Sequence, residues 1–265
     1  KKLYIGSNLK MYKNIKQTIT YLQDLEGLTK DISREELCLF IIPSYISLHQ
    51  ATLEINQKLI RLGAQNMFWE EYGEYTGEVS PVMLKEIGLD IVEIGHSERR
   101  QFFGETDITV NKKVRAGLRN GLITLICIGE TQHDKEYMIN TERLRQQIKI
   151  ALHKVGEEEL ANIWIAYEPV WAIGEEGVPA EPSYASSMHR VIRDVLLELY
   201  PGSGRDVPIL YGGSVNCLNA PDLIVQPEID GLFIGRAAWE ASNLNKLIRD
   251  ILPLWRGKKA FKPGS

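Results

Sequence analysis

Eight short apolar runs, separated by longer stretches whose apolar residues recur at helical spacing, restrict this chain more than any other feature. The runs cover residues 3–7, 37–42, 59–64, 91–94, 123–128, 163–167, 207–211 and 231–234. Between them lie amphipathic segments such as 141–155, with Leu144, Ile148, Leu152 and Val155 on one face, and 187–199, with Val191, Val195, Leu196 and Leu199. Strands that alternate with helices imply a parallel sheet buried on both faces. No G-x-G-x-x-G follows the first run, so a dinucleotide-binding half is not indicated. At 265 residues, closure into a single (β/α)8 barrel is favoured over an open doubly wound sheet, which periodicity by itself leaves standing. The expected division is one barrel domain over 1–255 and a basic C-terminal tail over 256–265. An apolar fraction of 44% is enough to fill such a core.

Charge and cysteine usage narrow the function. A net charge of −4 and a pI near 5.8 argue against a nucleic-acid surface, so an anionic ligand needs locally concentrated positive charge. The opening Lys1-Lys2-Leu3-Tyr4-Ile5 does not resemble a secretory signal, and the apolar run 37–42 is far too short to span a bilayer. Cys38, Cys127 and Cys217 are odd in number and show no C-x-x-C spacing, which suggests neither a disulfide framework nor a zinc site. The expected compartment is the cytoplasm, with no membrane partner.

Chemistry is first suggested by A-Y-E-P-V-W-A-I-G at 166–174. Glu168 stands at the end of the 163–167 run, and Pro169 biases it towards extended backbone. The following Val170-Trp171-Ala172-Ile173 is apolar where a solvent-facing loop is expected, as in a lid that closes on a ligand. A carboxylate beneath such a lid is a candidate general base, since closure strips its water. A surface glutamate beside a packing loop is the plain alternative.

Further motifs surround this stretch: I-G-H-S-E-R-R at 94–100, Y-G-G-S-V at 211–215, Asn8-Leu9-Lys10, A-Q-N at 64–66, T-G-E-V-S at 76–80 and C-I-G-E at 127–130. In this order they resemble the triosephosphate isomerase family over nearly the whole chain. The resemblance implies a TIM barrel whose C-terminal rim gathers Asn8, Lys10, His96, Glu168, Ser214 and Gly235. It implies Glu168 as base, His96 as the electrophile on the substrate oxygen, and Lys10 as the cation that stabilises an enediolate, a pattern for which this enzyme is a standard worked case. Ser97 then holds the base before closure, Glu98 pairs with Lys10, and Tyr211 latches the closed lid. Glu130 and Glu105 match family positions read as structural. The turns Gly212-Gly213-Ser214 and Gly235-Arg236-Ala237, with Gly174 in the lid, offer backbone N–H groups to a phosphate, where otherwise they are tight strand-to-helix turns. No metal and no cofactor is expected. The loop 67–80 carries Phe68, Trp69, Tyr72 and Tyr75 among acidic residues, which reads as a homodimer interface, with ligand-lining aromatics as the competing reading.

Three positions depart from the family pattern. Leu9 replaces the usual aromatic of N-W-K, the lid tip reads Glu175-Glu176-Gly177-Val178-Pro179, and Arg236 follows Gly235 where a second glycine is usual. The catalytic pair is untouched, so an isomerase of a short sugar phosphate is expected. Triose phosphate is the first choice of substrate, with a place in glycolysis and gluconeogenesis. A four-carbon tetrulose phosphate is the alternative, and a non-catalytic barrel that binds a phosphometabolite comes third.

Overall fold

Eight parallel strands close on themselves in chain order, each pairing with the next and β8 pairing with β1. They are β1 (Leu3–Asn8), β2 (Leu37–Ile42), β3 (Arg61–Ala64), β4 (Ile91–Ile94), β5 (Ile123–Ile128), β6 (Ile163–Tyr167), β7 (Ile209–Tyr211) and β8 (Gly231–Ile234). The computed structural model describes residues 1–174 and 177–260. The helices around the barrel are α1 (Ile15–Thr29), α2 (Tyr45–Glu54), α3 (Pro81–Glu86), α4 (Ser97–Phe102), α5 (Asp107–Arg119), α6 (Gln132–Glu136), α7 (Asn140–Ala151), α8 (Pro182–Leu199), α9 (Ala220–Ile224) and α10 (Ala241–Ala260).

Local chemistry explains the element ends. Asn14 and Gln17 form a reciprocal capping box on α1, and Thr106 with Thr109 does the same for α5. Ser80 caps α3, where Pro81 occupies the first turn that needs no N–H donor. Two strands start later than their apolar runs. Leu59 and Ile60 instead send their N–H groups to the Asn56 carbonyl in a turn, and Pro208 has no N–H to give to a ladder, so β3 and β7 begin at Arg61 and Ile209. Residues 256–260 continue α10, where Arg256 pairs with Glu36 (2.7 Å) and Lys258 Nζ donates to the carbonyls of Ile224 and Ile229. The rest of the expected tail, 261–265, lies outside the described residues.

Side chains alternate between two buried layers. On β2, Phe40 and Ile42 fill the barrel interior while Leu39 and Ile41 face the helices, which is why the whole run is apolar. Inside, Phe40 packs on Phe233 and Trp164 at ring separations of 5.7 and 5.3 Å. Ile91 of β4 points inwards too, so two residues on, Glu93 also faces the interior, one layer nearer the C-terminal rim. Among the described residues, no helix is long and apolar enough to cross a membrane.

Candidate active site

The C-terminal ends of β1, β4 and β6 bring together residues that are far apart in sequence. Asn8 closes β1 with its side chain almost fully buried, and Lys10 follows with a φ of 51°, unusual for a residue with a Cβ. Such backbone costs on the order of 1–3 kcal/mol and persists only where neighbours fix it. Here Lys10 N donates to Asn8 Oδ1 (2.7 Å), while Gln65 Nε2 donates to both Asn8 Oδ1 (3.0 Å) and the Lys10 carbonyl (2.9 Å). Lys10 Nζ then reaches Glu98 Oε1 at 2.5 Å.

His96 sits one residue before α4 and caps it, its Nδ1 accepting the Glu98 amide at 3.2 Å. With Nδ1 an acceptor, the ring proton of the neutral imidazole lies on Nε2. That nitrogen faces Glu168 Oε1 at 3.4 Å and Glu93 Oε1 at 4.0 Å. Burial works against a charged imidazole, and the carboxylates of Glu168, Glu93 and Glu98 work for it, so its pKa stands above the ordinary histidine value.

Glu168 leaves β6 with its N–H bonded to the Ile128 carbonyl (2.7 Å), and its side chain is 3% exposed. Its Oε2 accepts the Ser97 amide at 3.3 Å, so the contact expected of Ser97 is made by the main chain. Two glycines permit this crowding. A Cβ on Gly129 would stand 1.8 Å from the Glu168 carbonyl oxygen, and one on Gly212 would stand 3.0 Å from Glu168 Cγ.

Beyond Glu168, the lid begins with a turn of 3-10 helix over Val170–Ala172. Its foot is pinned by Glu130 Oε1, which accepts from Trp171 Nε1 (2.9 Å), Tyr184 Oη (2.9 Å) and Tyr167 Oη (3.0 Å). Lys135 Nζ stands 3.5 Å above the Trp171 ring. Tyr211, matched to the family latch, has a buried hydroxyl. Burial raises its pKa above the phenol range, and the Ala180 backbone works in the other direction.

A cavity of about 440 Å³ runs from Glu168 and His96 to Gly174, Ser214, Gly235 and Arg236, with Asn8 and Lys10 on its wall. Gly174 has a φ of 95°, open to glycine at little cost. Gly235 leads into a turn of 3-10 helix over Arg236–Ala238, whereas the run after β7 reaches α9 only after the Asn216–Asn219 turn. Arg236 is exposed at the cavity edge. Of the three departures, Leu9 is 1% exposed in the outer core and only packs, while Glu175 and Glu176 lie outside the described residues.

On the 67–80 loop, Phe68 stacks on Trp69 at 4.1 Å and meets Tyr75 at 4.4 Å, while Tyr72 is 78% exposed. The loop starts beside a buried ionic group in which Lys113 Nζ donates to Asn66 Oδ1 (2.7 Å) and Glu105 Oε1 (2.5 Å).

Sequence reasoning missed Glu93, Gln65 and Trp239. Trp239 Nε1 donates to the Asn8 carbonyl (3.0 Å), and Glu93 Oε2 accepts Asn8 Nδ2 (2.7 Å). Glu93 carried a signal as a carboxylate in the middle of the apolar run 91–94, and Gln65 stood in the A-Q-N motif without a role assigned to it. Among the described residues, Glu93, His96 and Glu168 bring one atom each within 4.8 Å of the others, but His96 Nε2, the nitrogen that faces both carboxylates, carries the ring proton and is no metal ligand.

Comparison with known proteins agrees with this geometry in kind. A family model described as triosephosphate isomerase matches residues 3–251. An L-erythrulose-1-phosphate isomerase of Rhizobium etli is 46% identical over 239 residues, covering 89% of this chain and 88% of that protein. One of Rhizobium rhizogenes is 44% identical over 258 residues, 96% of each chain, and one of Brucella abortus is 45% identical over 243 residues, 90% and 92%.

Proposed function

The chain belongs to the triosephosphate isomerase family and is a sugar-phosphate isomerase; from that premise we propose that its substrate is L-erythrulose 1-phosphate. The observation that carries this is the name borne by relatives 42–46% identical over most of their own length. They favour the four-carbon alternative over the triose phosphate first expected from the sequence. They lend no support to a place in glycolysis or gluconeogenesis.

The substrate chemistry suits the same residues. L-Erythrulose 1-phosphate is dihydroxyacetone phosphate with a hydroxymethyl group added at the reacting carbon, on the end away from the phosphate. In this reading Glu168 takes the proton from C3, and His96 Nε2–H and Lys10 meet the oxygens on which enediolate charge develops. Return of the proton at C2 leaves the carbonyl on C3, because the carbon that becomes an aldehyde in a triose here carries the extra group. The backbone N–H groups at Gly174, Ser214 and Gly235 bind the phosphate, with Arg236 adding charge at its edge. Asn8 orients Lys10. The chain works as a homodimer through the 67–80 loop, and its three free cysteines are consistent with the reducing cytoplasm.

The test is kcat/KM for L-erythrulose 1-phosphate and for dihydroxyacetone phosphate. A preference of at least tenfold for the tetrulose, about 1.4 kcal/mol, is expected, and equal or reversed values would return the substrate to the triose. Arg236→Gly should raise KM for both about tenfold or more, the loss of a charged hydrogen bond of about 1.5–3 kcal/mol.

A further inference from the structure

Glu93 is a carboxylate with no exposure at all, on the inward face of β4 directly below the reacting groups. It does not line the cavity, so it cannot touch the substrate. Its contacts are with groups that can. Oε2 accepts Asn8 Nδ2 at 2.7 Å, and this bond settles which way the Asn8 amide faces, leaving Oδ1 for the Lys10 N–H and Gln65. Oε1 stands 4.0 Å from His96 Nε2 and 3.5 Å from Cys127 Sγ.

Three carboxylates surround the His96 ring, and they differ in how they are balanced. Glu98 is paired with Lys10 at 2.5 Å and is partly exposed. Glu168 and Glu93 are both buried and have one imidazole between them. Two buried carboxylates at this range do not both stay ionised in a site that must also admit a phosphate ester and build negative charge on an enediolate. Glu168 faces the cavity and has to be the ionised base. The proton therefore rests on Glu93.

We propose that Glu93 is a positioning residue of the isomerisation proposed above, held as a neutral acid beneath the imidazole, where it aims Asn8 at Lys10 and leaves the His96 Nε2–H to the substrate. An ionised Glu93 would compete for that N–H and would repel the enediolate. The Cys127 contact serves either state, the thiol donating to a carboxylate or the carboxyl hydroxyl donating to sulfur. The groups facing Glu93 are His96 from its own loop, Glu168 after β6, Cys127 on β5 and Lys10 after β1. Burial dominates, pushing Glu93 up to about 7, with His96 opposing and Glu168 adding to the rise. The neutral, active form therefore prevails below this value and is lost as pH rises through it.

Glu93→Gln mimics the neutral acid, and Glu93→Leu removes the acceptor for Asn8. In the wild type, kcat/KM for L-erythrulose 1-phosphate should fall on the alkaline side of a limb near 7, by about tenfold per pH unit at most. The ratio of Glu93→Gln to wild type should then climb by up to about tenfold for each unit between pH 7 and 9. Glu93→Leu should lower kcat about tenfold or more while KM moves by a smaller factor, as expected when a transition-state contact is misplaced. Nitrogen NMR of the His96 ring in the ligand-free protein should show two steps, its own and that of Glu93 near pH 7, of which Glu93→Gln keeps only the first. An unchanged alkaline limb in Glu93→Gln, or a His96 titration indifferent to it, overturns the proposal. A wild type that ignores the tetrulose but turns over the triose defeats the substrate reading alone, and the NMR titration still decides the role of Glu93.

Discussion

At the scale of single residues, the site is a set of charges whose meaning depends on what lies within 4 Å. Glu168 is held by the Ser97 amide and by His96, so shortening it retracts the carboxylate from both. Glu168→Asp should reduce kcat about a hundredfold, the usual cost of a misplacement near 1 Å, with KM changed far less. Glu168→Gln removes the base and should fall to background. A Gln variant with more than a tenth of wild-type turnover would take Glu168 out of the mechanism. The pairing of Glu168 with His96 could be expected from the sequence only through the family resemblance, because 72 positions separate them and nothing local ties one to the other. Glu93 was not legible even so. A lone carboxylate in an apolar run shows that something must compensate it, but the partners, Asn8 and His96, come from the closure of the barrel.

At the scale of elements, legibility followed burial. Strands covered on both faces read as uninterrupted apolar runs, and β2, β4, β5, β6 and β8 start and stop where those runs do. β3 and β7 are shorter because the backbone hydrogen bonds of residues 59–60 and the ring of Pro208 divert the chain before pairing begins, and hydrophobicity does not record that. The lid was legible in its oily composition, but its foot was not. Glu130 was expected to be structural, and three ring donors from β6, the lid turn and α8 converge on one of its oxygens. Glu130→Ala would leave two tyrosine hydroxyls and an indole N–H inside without an acceptor, at about 1–3 kcal/mol for each that water cannot reach. The expected result is a clearly lowered Tm together with a fall in kcat, since Trp171 sits three residues from Glu168. A variant with wild-type Tm would show that these donors find other partners.

At the scale of the whole molecule, the exposed Tyr72 and the aromatic cluster at Phe68, Trp69 and Tyr75 support the proposed dimer. Tyr72→Asp combined with Tyr75→Asp should give a monomer in sedimentation at micromolar concentration, with activity reduced at least tenfold if the loop buttresses the partner's site. A wild-type chain that sediments as a monomer would remove the dimer from the reading. The barrel itself closes where Tyr4 pairs with Gly231 and Ser7 with Ile234, so the first strand made is completed by the last. At roughly 5–20 residues per second, a ribosome needs on the order of 10–45 s to travel from one to the other. For that interval the nascent chain exposes an unmatched strand edge at each end of a growing sheet. Slowing synthesis between β1 and β8 should therefore lower the yield of the chain without touching its finished stability.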